Sequence, residues 1–185
     1  MTANSQSTAL LVAKTVDTPR IYLACLAAYN NGRLHGAWVD ADQGADHIWN
    51  ELRKMLRASP EPDAEEWAIH DYDGFESAHI PEYASFEKVC DLAEFLSERG
   101  ELGAQVYSIF SEDLDQAKAA FDDYSGEFSN LAEFAEQLHE DIGTEIPEIL
   151  KFYVDWASLG RDLELNGDIF TVQISFDETH VFWSR

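Results

Sequence analysis

Lysine and arginine are nearly missing from the middle of this chain. Residues 61–148 hold 25 Asp and Glu and only three basic residues, Lys88, Arg99 and Lys118. That segment therefore carries a net charge of −22 over 88 residues, whereas residues 1–60 carry +1 and residues 149–185 carry −3 of the chain's total of −24. Charge of this sign repels phosphate, which argues against binding to nucleic acid or to an anionic membrane and favours basic partners.

Cysteines and long hydrophobic runs are also scarce. The only two cysteines, Cys25 and Cys90, lie in apolar surroundings, which excludes a disulfide scaffold and suits a reducing cytoplasm. No apolar run approaches the ~20 residues of a membrane span, and Ala9–Ala13 is too short and lacks the basic flank of a signal peptide. We therefore expect a cytoplasmic protein. Its 11 Phe, 7 Tyr and 5 Trp supply a buried core that a disordered acidic tail lacks.

Motifs for catalysis or for cofactor binding are lacking as well. The chain has no Gly-rich phosphate loop, and its histidines show no His-x-x-x-His or similar ligand spacing. Neither cysteine has a basic neighbour that would activate a thiolate. Residues 70–74 match only fragments of an EF-hand calcium loop. The sequence thus indicates no enzyme, no cofactor and no metal site.

Hydrophobic periodicity divides the chain into three units behind a leader. Residues 1–18, rich in Ser, Thr and Ala, are predicted to be a disordered leader. Residues 19–75 predict a β-β-α-β domain, residues 76–125 a central acidic helical domain, and residues 126–185 a C-terminal α+β domain. The predicted fold class is α+β, with a small antiparallel sheet at each end and an acidic helical middle.

Within these units, individual elements follow from capping and turn signals. In the first unit, strands are predicted over 21–29, 36–41 and 67–72, and a helix over 45–58. Further helices are predicted over 86–98, 112–124, 131–142, 144–153 and 155–163, and strands over 169–175 and 179–183. Ser85, Ser111 and Asn130 are the predicted N-caps of the first three of these helices, and Glu133 has capping-box spacing from Asn130.

The acids of the middle domain fall in rows along the predicted helices. At ~100° per residue, the row Glu87, Asp91, Glu94 and Glu98 lies within about 60° of arc, opposite the apolar face. Like charges at i,i+4 cost ~0.2–0.5 kcal/mol per pair, so a surface selected for stability alone would include lysines. Two or three such helices side by side would carry about one charge per ~2–3 Å, close to the ~1.7 Å of duplex DNA.

These rows identify candidate partner-binding carboxylates that imitate the charge of a duplex. The twelve candidates are Glu87, Asp91, Glu94, Glu98, Glu112, Asp113, Asp115, Asp122, Asp123, Glu133, Glu136 and Glu140.

Two longer stretches carry a family resemblance. Residues 20–32 (RIYLACLAAYNNG) and 154–168 (VDWASLGRDLELNGD) resemble the opening and the C-terminal antirestriction motif of the ArdA-type antirestriction proteins. The resemblance covers about residues 19–175. It implies an elongated, non-enzymatic DNA mimic of three small domains, carried by mobile elements. Such a protein occupies the DNA-binding groove of type I restriction–modification enzymes, on the methyltransferase core.

The resemblance also implies a homodimer that forms through the C-terminal domain. It places the following residues in the antirestriction motif or dimer region: Asp155, Trp156, Arg161, Asp162, Leu163 and Glu164.

Other functions remain open from the residues alone. A generic acidic chaperone or scaffold for basic DNA-binding proteins would need the same charge. A halophile's domain would also be acidic, but its charge would spread over the whole surface, whereas residues 1–60 are net +1. An enzyme is the weakest alternative because no catalytic constellation is present.

Overall fold

The computed structural model describes residues 18–184, which form six helices and six strands. The strands are β1 Arg20–Cys25, β2 Gly36–Asp40, β3 Trp67–Asp73, β4 Tyr124–Phe128, β5 Ile169–Ser175 and β6 Glu178–Trp183. The helices are α1 Leu26–Asn30, α2 Ala45–Arg57, α3 Phe86–Ile109, α4 Leu114–Ala120, α5 Leu131–Asp141 and α6 Trp156–Leu165. The predicted α+β class is confirmed. Except for Thr18, the predicted leader lies outside the described residues.

The first sheet has the order β2-β1-β3, with antiparallel pairing throughout. Its core is built by the buried residues Ile21 and Leu23 of β1 and by Ile48 and Leu52 of α2. The strand predicted over 21–29 ends at Cys25, after which the chain turns into the short helix α1.

Helix α3 follows the first sheet in the sequence and lies in the acidic middle segment of the chain. Ser85 caps it, as predicted, by accepting a hydrogen bond from the N–H of Lys88 at 3.3 Å. Gly100 interrupts the helical geometry at φ +53° and ψ −143°, a conformation that essentially only glycine adopts. The predicted end of the first helical segment near residue 98 therefore corresponds to a kink, after which the helix continues to Ile109.

The second sheet, of order β4-β6-β5, lies between two apolar cores. On one face, Val172 and Phe182 join the large core that runs through α3 to the first sheet. On the other face, Phe128, Ile169 and Val181 pack with Phe134 of α5 in a smaller core. The three-unit division stays a prediction, and its second boundary, 125/126, falls within β4.

Two predicted helices differ from the structure in this region. The helix predicted over 112–124 is present in part, as α4 and the following 3₁₀ turn Phe121–Asp123, but its predicted cap is wrong, because Ser111 and Glu112 adopt positive φ angles of 56° and 65°. Asp113 caps α4 instead, and the helix ends at Ala120. A 3₁₀ turn then leads into β4, which the sequence did not predict.

The helix predicted over 144–153 is wrong. The N–H groups of Leu150 and Tyr153 bond three residues back, to the carbonyls of Pro147 and Leu150, which makes successive turns rather than an α-helical ladder. Short helices depend on burying one apolar face, and here Phe152 and Tyr153 are 95% and 83% exposed. The predicted helices at α5 and α6 and the strands β5 and β6 are confirmed within a few residues. No helix formed by residues 18–184 is long and apolar enough to cross a membrane.

Candidate functional site

The row predicted on α3 lies on an exposed face of the helix. Its four members, Glu87, Asp91, Glu94 and Glu98, are all exposed. The opposite face buries Phe86, Val89, Leu92, Ala93, Phe95 and Leu96. Because the helix rises ~1.5 Å per residue, the row runs for roughly 16 Å with a carboxylate every ~5 Å. Burial of the apolar face thus fixes the direction in which this row points.

Few bases offset these carboxylates. Within residues 18–184, eleven of the twelve candidate carboxylates make no ion pair with a Lys or Arg. The twelfth, Asp123, interacts with another group of the protein. Arg99 places its guanidinium 4.5 Å from the centre of the Phe121 ring. Glu112 lies 3.4 Å from the imidazole of His79. The negative field of this surface is therefore left largely uncompensated.

The turn into α4 adds acids beside the α3 row. Asp113 caps α4, accepting hydrogen bonds from the N–H of Gln116 at 3.0 Å and from its side-chain amide at 2.8 Å, and these bonds lower the pKa of the Asp113 carboxyl. An open groove between α3 and this turn is lined by Lys88 and Asp91 of α3 and by residues 111–115. Exposed Glu112 and Asp115 thus lie across this groove from Asp91, with Lys88 as the one basic residue among them. Asp122 and Asp123 follow in the next turn.

Neighbouring groups respond to this field. Burial raises the pKa of the Tyr107 hydroxyl, and the charges of Glu112 and Asp113 raise it further. Burial likewise raises the pKa of the Cys90 thiol, with Asp91 and Glu87 adding to the effect. Both shifts disfavour a further negative charge at this surface. The carboxylates of the α4 turn thus act on Tyr107, and those of α3 act on Cys90.

The second predicted row lies on α5. Glu133, Glu136 and Glu140 are exposed there. Glu133 accepts hydrogen bonds from the N–H and the hydroxyl of Ser129, which fix it at the start of the helix and lower its pKa. Asn130 caps the helix as predicted. The other two carboxylates remain exposed beyond the first turn.

The residues predicted for the antirestriction motif lie on and around α6, where several of them have structural contacts. Asp155 caps the helix by accepting from the N–H and hydroxyl of Ser158, and these bonds lower its pKa. Leu163 packs against the smaller core. Glu164 accepts a hydrogen bond from the hydroxyl of Thr171, which joins α6 to β5.

The other three motif residues are Trp156, Arg161 and Asp162. The Trp156 ring lies 5.5 Å from the imidazole of His139 on α5. Arg161 is exposed and donates to the hydroxyl of Ser158 at 3.1 Å. Asp162 is exposed on the outer side of α6. Within this motif, the charges of Asp155, Arg161 and Asp162 are all exposed.

Two features of the C-terminal half were not predicted. Gly160 is buried where α6 crosses α5, and a Cβ atom at this position would overlap the carbonyl oxygen of Leu131. The register of the second sheet also brings together Glu127, Glu178 and His180. The predicted strand 179–183 contains His180 but begins after Glu178, so the sequence analysis had no signal for this cluster.

Comparison with known proteins adds one match. The family model described as "Antirestriction protein (ArdA)" matches residues 21–178 of the chain. The match includes α3, α4, α5 and α6, and with them every candidate carboxylate and every residue of the predicted motif. No curated protein matches the chain.

Proposed function

The chain belongs to the ArdA family of antirestriction proteins, and from this premise we propose that it acts as a DNA mimic. Its carboxylates take the place of duplex phosphates in the DNA-binding groove of type I restriction–modification enzymes, on the methyltransferase core. The occupied groove no longer binds DNA, which protects incoming mobile DNA. The chain itself performs no catalysis in this scheme.

One observation carries the proposal. The carboxylates of α3, the α4 turn and α5 are predominantly exposed, and nearly all lack a Lys or Arg ion pair among the described residues. Such a surface carries a like-charge repulsion that an ordinary soluble protein relieves with lysines. A groove lined by Lys and Arg would offset that repulsion and release the counterions of both surfaces. Binding should therefore be fast and weaken as salt rises.

The same chemistry sets the specificity. Phosphate contacts give affinity without carrying sequence information, and a carboxylate surface presents no base edges. The inhibitor should therefore act on type I enzymes with different recognition sequences. Widely different inhibition of enzymes that differ only in recognition sequence would contradict this part of the proposal.

We place the homodimer contact in the C-terminal half. The segment after α5 exposes Ile149, Leu150, Phe152 and Tyr153. Exposed apolar side chains so close together are typical of an interaction surface. Pairing two copies there would bury these residues. Cytoplasmic location follows from the same proposal, because the target enzyme acts on DNA inside the cell.

Competition for the groove tests the function directly. A type I methyltransferase core is loaded with fluorescently labelled duplex, and the protein is added at low and at physiological salt. We expect near-stoichiometric displacement that weakens as salt rises. No displacement at low salt would refute groove occupation. A small basic DNA-binding protein serves as the second target, and equally tight binding to it would favour the acidic chaperone instead.

A further inference from the structure

The pairing register of the second sheet gathers three metal-ligating side chains outside the acidic rows. Glu127 of β4 lies directly opposite His180 of β6, and Glu178 lies two residues before His180 on the same strand. Directly paired residues, and residues two apart on one strand, point to the same face of a sheet. One ligand atom from each of the three residues lies within 4.8 Å of the others.

The imidazole of this cluster is held in place. His180 is only 6% exposed. Its Nδ1 lies 2.7 Å from the hydroxyl oxygen of Tyr124, and its Nε2 lies 3.2 Å from a carboxylate oxygen of Glu178. A histidine that binds a metal commonly has its other ring nitrogen bonded to a second group, which fixes the tautomer and the ring orientation. Tyr124 occupies the position of that second group here.

We propose that this cluster binds one divalent transition-metal ion, with zinc as the representative. The ligands are Nε2 of His180 and one oxygen each from Glu127 and Glu178, and water completes the coordination. When the ion occupies Nε2, the single proton of the neutral ring resides on Nδ1 and is donated to the hydroxyl oxygen of Tyr124. Imidazole together with carboxylates is a ligand set that suits zinc and its neighbours in the first transition row.

The geometry requires little rearrangement. Zinc–oxygen and zinc–nitrogen bonds of ~2.0–2.2 Å place neighbouring ligand atoms roughly 3–3.5 Å apart. His180 and Glu178 already have that separation, at 3.2 Å. Glu127 is exposed, so its side chain is free to close the remaining distance.

The bound ion would join β4 to β6 at a weak point of the ladder. The register of this pair shifts between Tyr124 and Gly126, next to Glu127. β4 is one of the two edge strands of the sheet and pairs only with β6 among the strands that the structure describes. The ion would therefore act as a structural clamp on the segment that connects α4 to α5. This role is independent of the proposed function, since none of the twelve candidate carboxylates is a ligand.

A strongly acidic protein attracts divalent ions diffusely, and the test must separate that background from a site. The full-length protein is titrated with Co²⁺, followed by its visible absorption, and then with Zn²⁺ by calorimetry, in excess Mg²⁺. The variant Glu127→Gln/Glu178→Gln removes two ligands. The control Glu136→Gln/Glu140→Gln removes the same charge from exposed positions of α5.

We expect one tight equivalent per chain in the parent and in the control, and at least about tenfold weaker binding in the ligand variant. Tyr124→Phe should keep the stoichiometry, weaken binding by about tenfold and change the Co²⁺ absorption bands, because Tyr124 is a positioning residue. Equal binding by the parent and both double variants would overturn the proposal, as would equal losses in the two double variants. Circular dichroism confirms that each variant is folded.

Discussion

Neutralising the α3 row should move folding stability and target binding in opposite directions. The perturbation is a quadruple isosteric variant, Glu87→Gln, Asp91→Asn, Glu94→Gln and Glu98→Gln. All four side chains are exposed, so the apolar face of α3 is left intact. The row contains three like-charge pairs at i,i+3 or i,i+4, each destabilising by ~0.2–0.5 kcal/mol. Their removal should therefore raise the free energy of unfolding by roughly 0.6–1.5 kcal/mol.

Binding should weaken for the same reason. If each carboxylate pairs with one base of the target groove, four exposed ion pairs at ~0.2–1 kcal/mol each are lost. Their sum, about 1–4 kcal/mol, corresponds to roughly 5- to 1000-fold weaker binding. The slope of log affinity against log salt should become shallower by up to about four, since fewer counterions are released.

The assay is displacement of labelled duplex from the methyltransferase core, in parallel with urea unfolding. The matched control neutralises four exposed acids outside the candidate set and the motif, Asp40→Asn, Asp63→Asn, Glu65→Gln and Glu66→Gln. Both variants change the net charge equally. If the control loses as much affinity as the α3 variant, total charge governs binding and the position of the carboxylates on α3 is unimportant. If the α3 variant binds as tightly as the parent, α3 does not face the groove.

Four further outcomes follow from the structure. Asp91→Asn alone should weaken inhibition by no more than about fivefold, because one exposed ion pair contributes little; a severe loss would indicate a focused site. Gly160→Ala should destabilise the fold by about 1–3 kcal/mol in thermal unfolding, since the added Cβ overlaps the carbonyl of Leu131, and an unchanged midpoint would contradict that packing. Gly100→Ala should cost about 1–3 kcal/mol through backbone strain alone, because no atom lies within 4 Å of its Cβ position; equal stability would mean that the kink is not required. Asp155 has a lowered pKa in the fold, so its stabilisation is present above its unfolded pKa of ~3.9 and is lost as pH falls through the folded value. In the Asp155→Asn variant, the free energy of unfolding measured in urea should therefore depend less steeply on pH in the acid range. A pH profile identical to that of the parent would exclude this contribution of Asp155.

Local signals were sufficient to predict α3 and α5 and insufficient to predict strand β4 of the second sheet. The rows on α3 and α5 follow from a 3.6-residue period and from the caps Ser85 and Asn130, all of which lie within a few residues of the helices they define. β4 has no such local signal. Its partner β6 lies about 50 residues further along the chain, and the alternation in five residues containing Gly126 is too short to separate a strand from a helix end.

The sequence was sufficient to predict the acidic composition of the candidate site and the helix faces on which its carboxylates lie. It was not sufficient to predict the contacts that individual side chains make in the fold. Exposure of Glu87 or Glu140 follows from its position opposite an apolar stripe. By contrast, the structural bonds of Asp155 and Glu164 depend on neighbours in the folded chain, as does the juxtaposition of Glu127 with His180. The wrong helix over 144–153 arose because its apolar residues have a helical spacing, although nothing among the described residues covers them.

The position of the second sheet between two cores has a consequence for synthesis of the chain on the ribosome. β4 leaves the ribosome about 50 residues before β6, and until β6 arrives it has no strand with which to pair. Phe182, near the end of β6, packs on Phe121 beside the C-terminal end of α4. The apolar surface at Phe121 therefore lacks its contact with Phe182 until β6 has left the ribosome, and the fold of the described residues is completed only then.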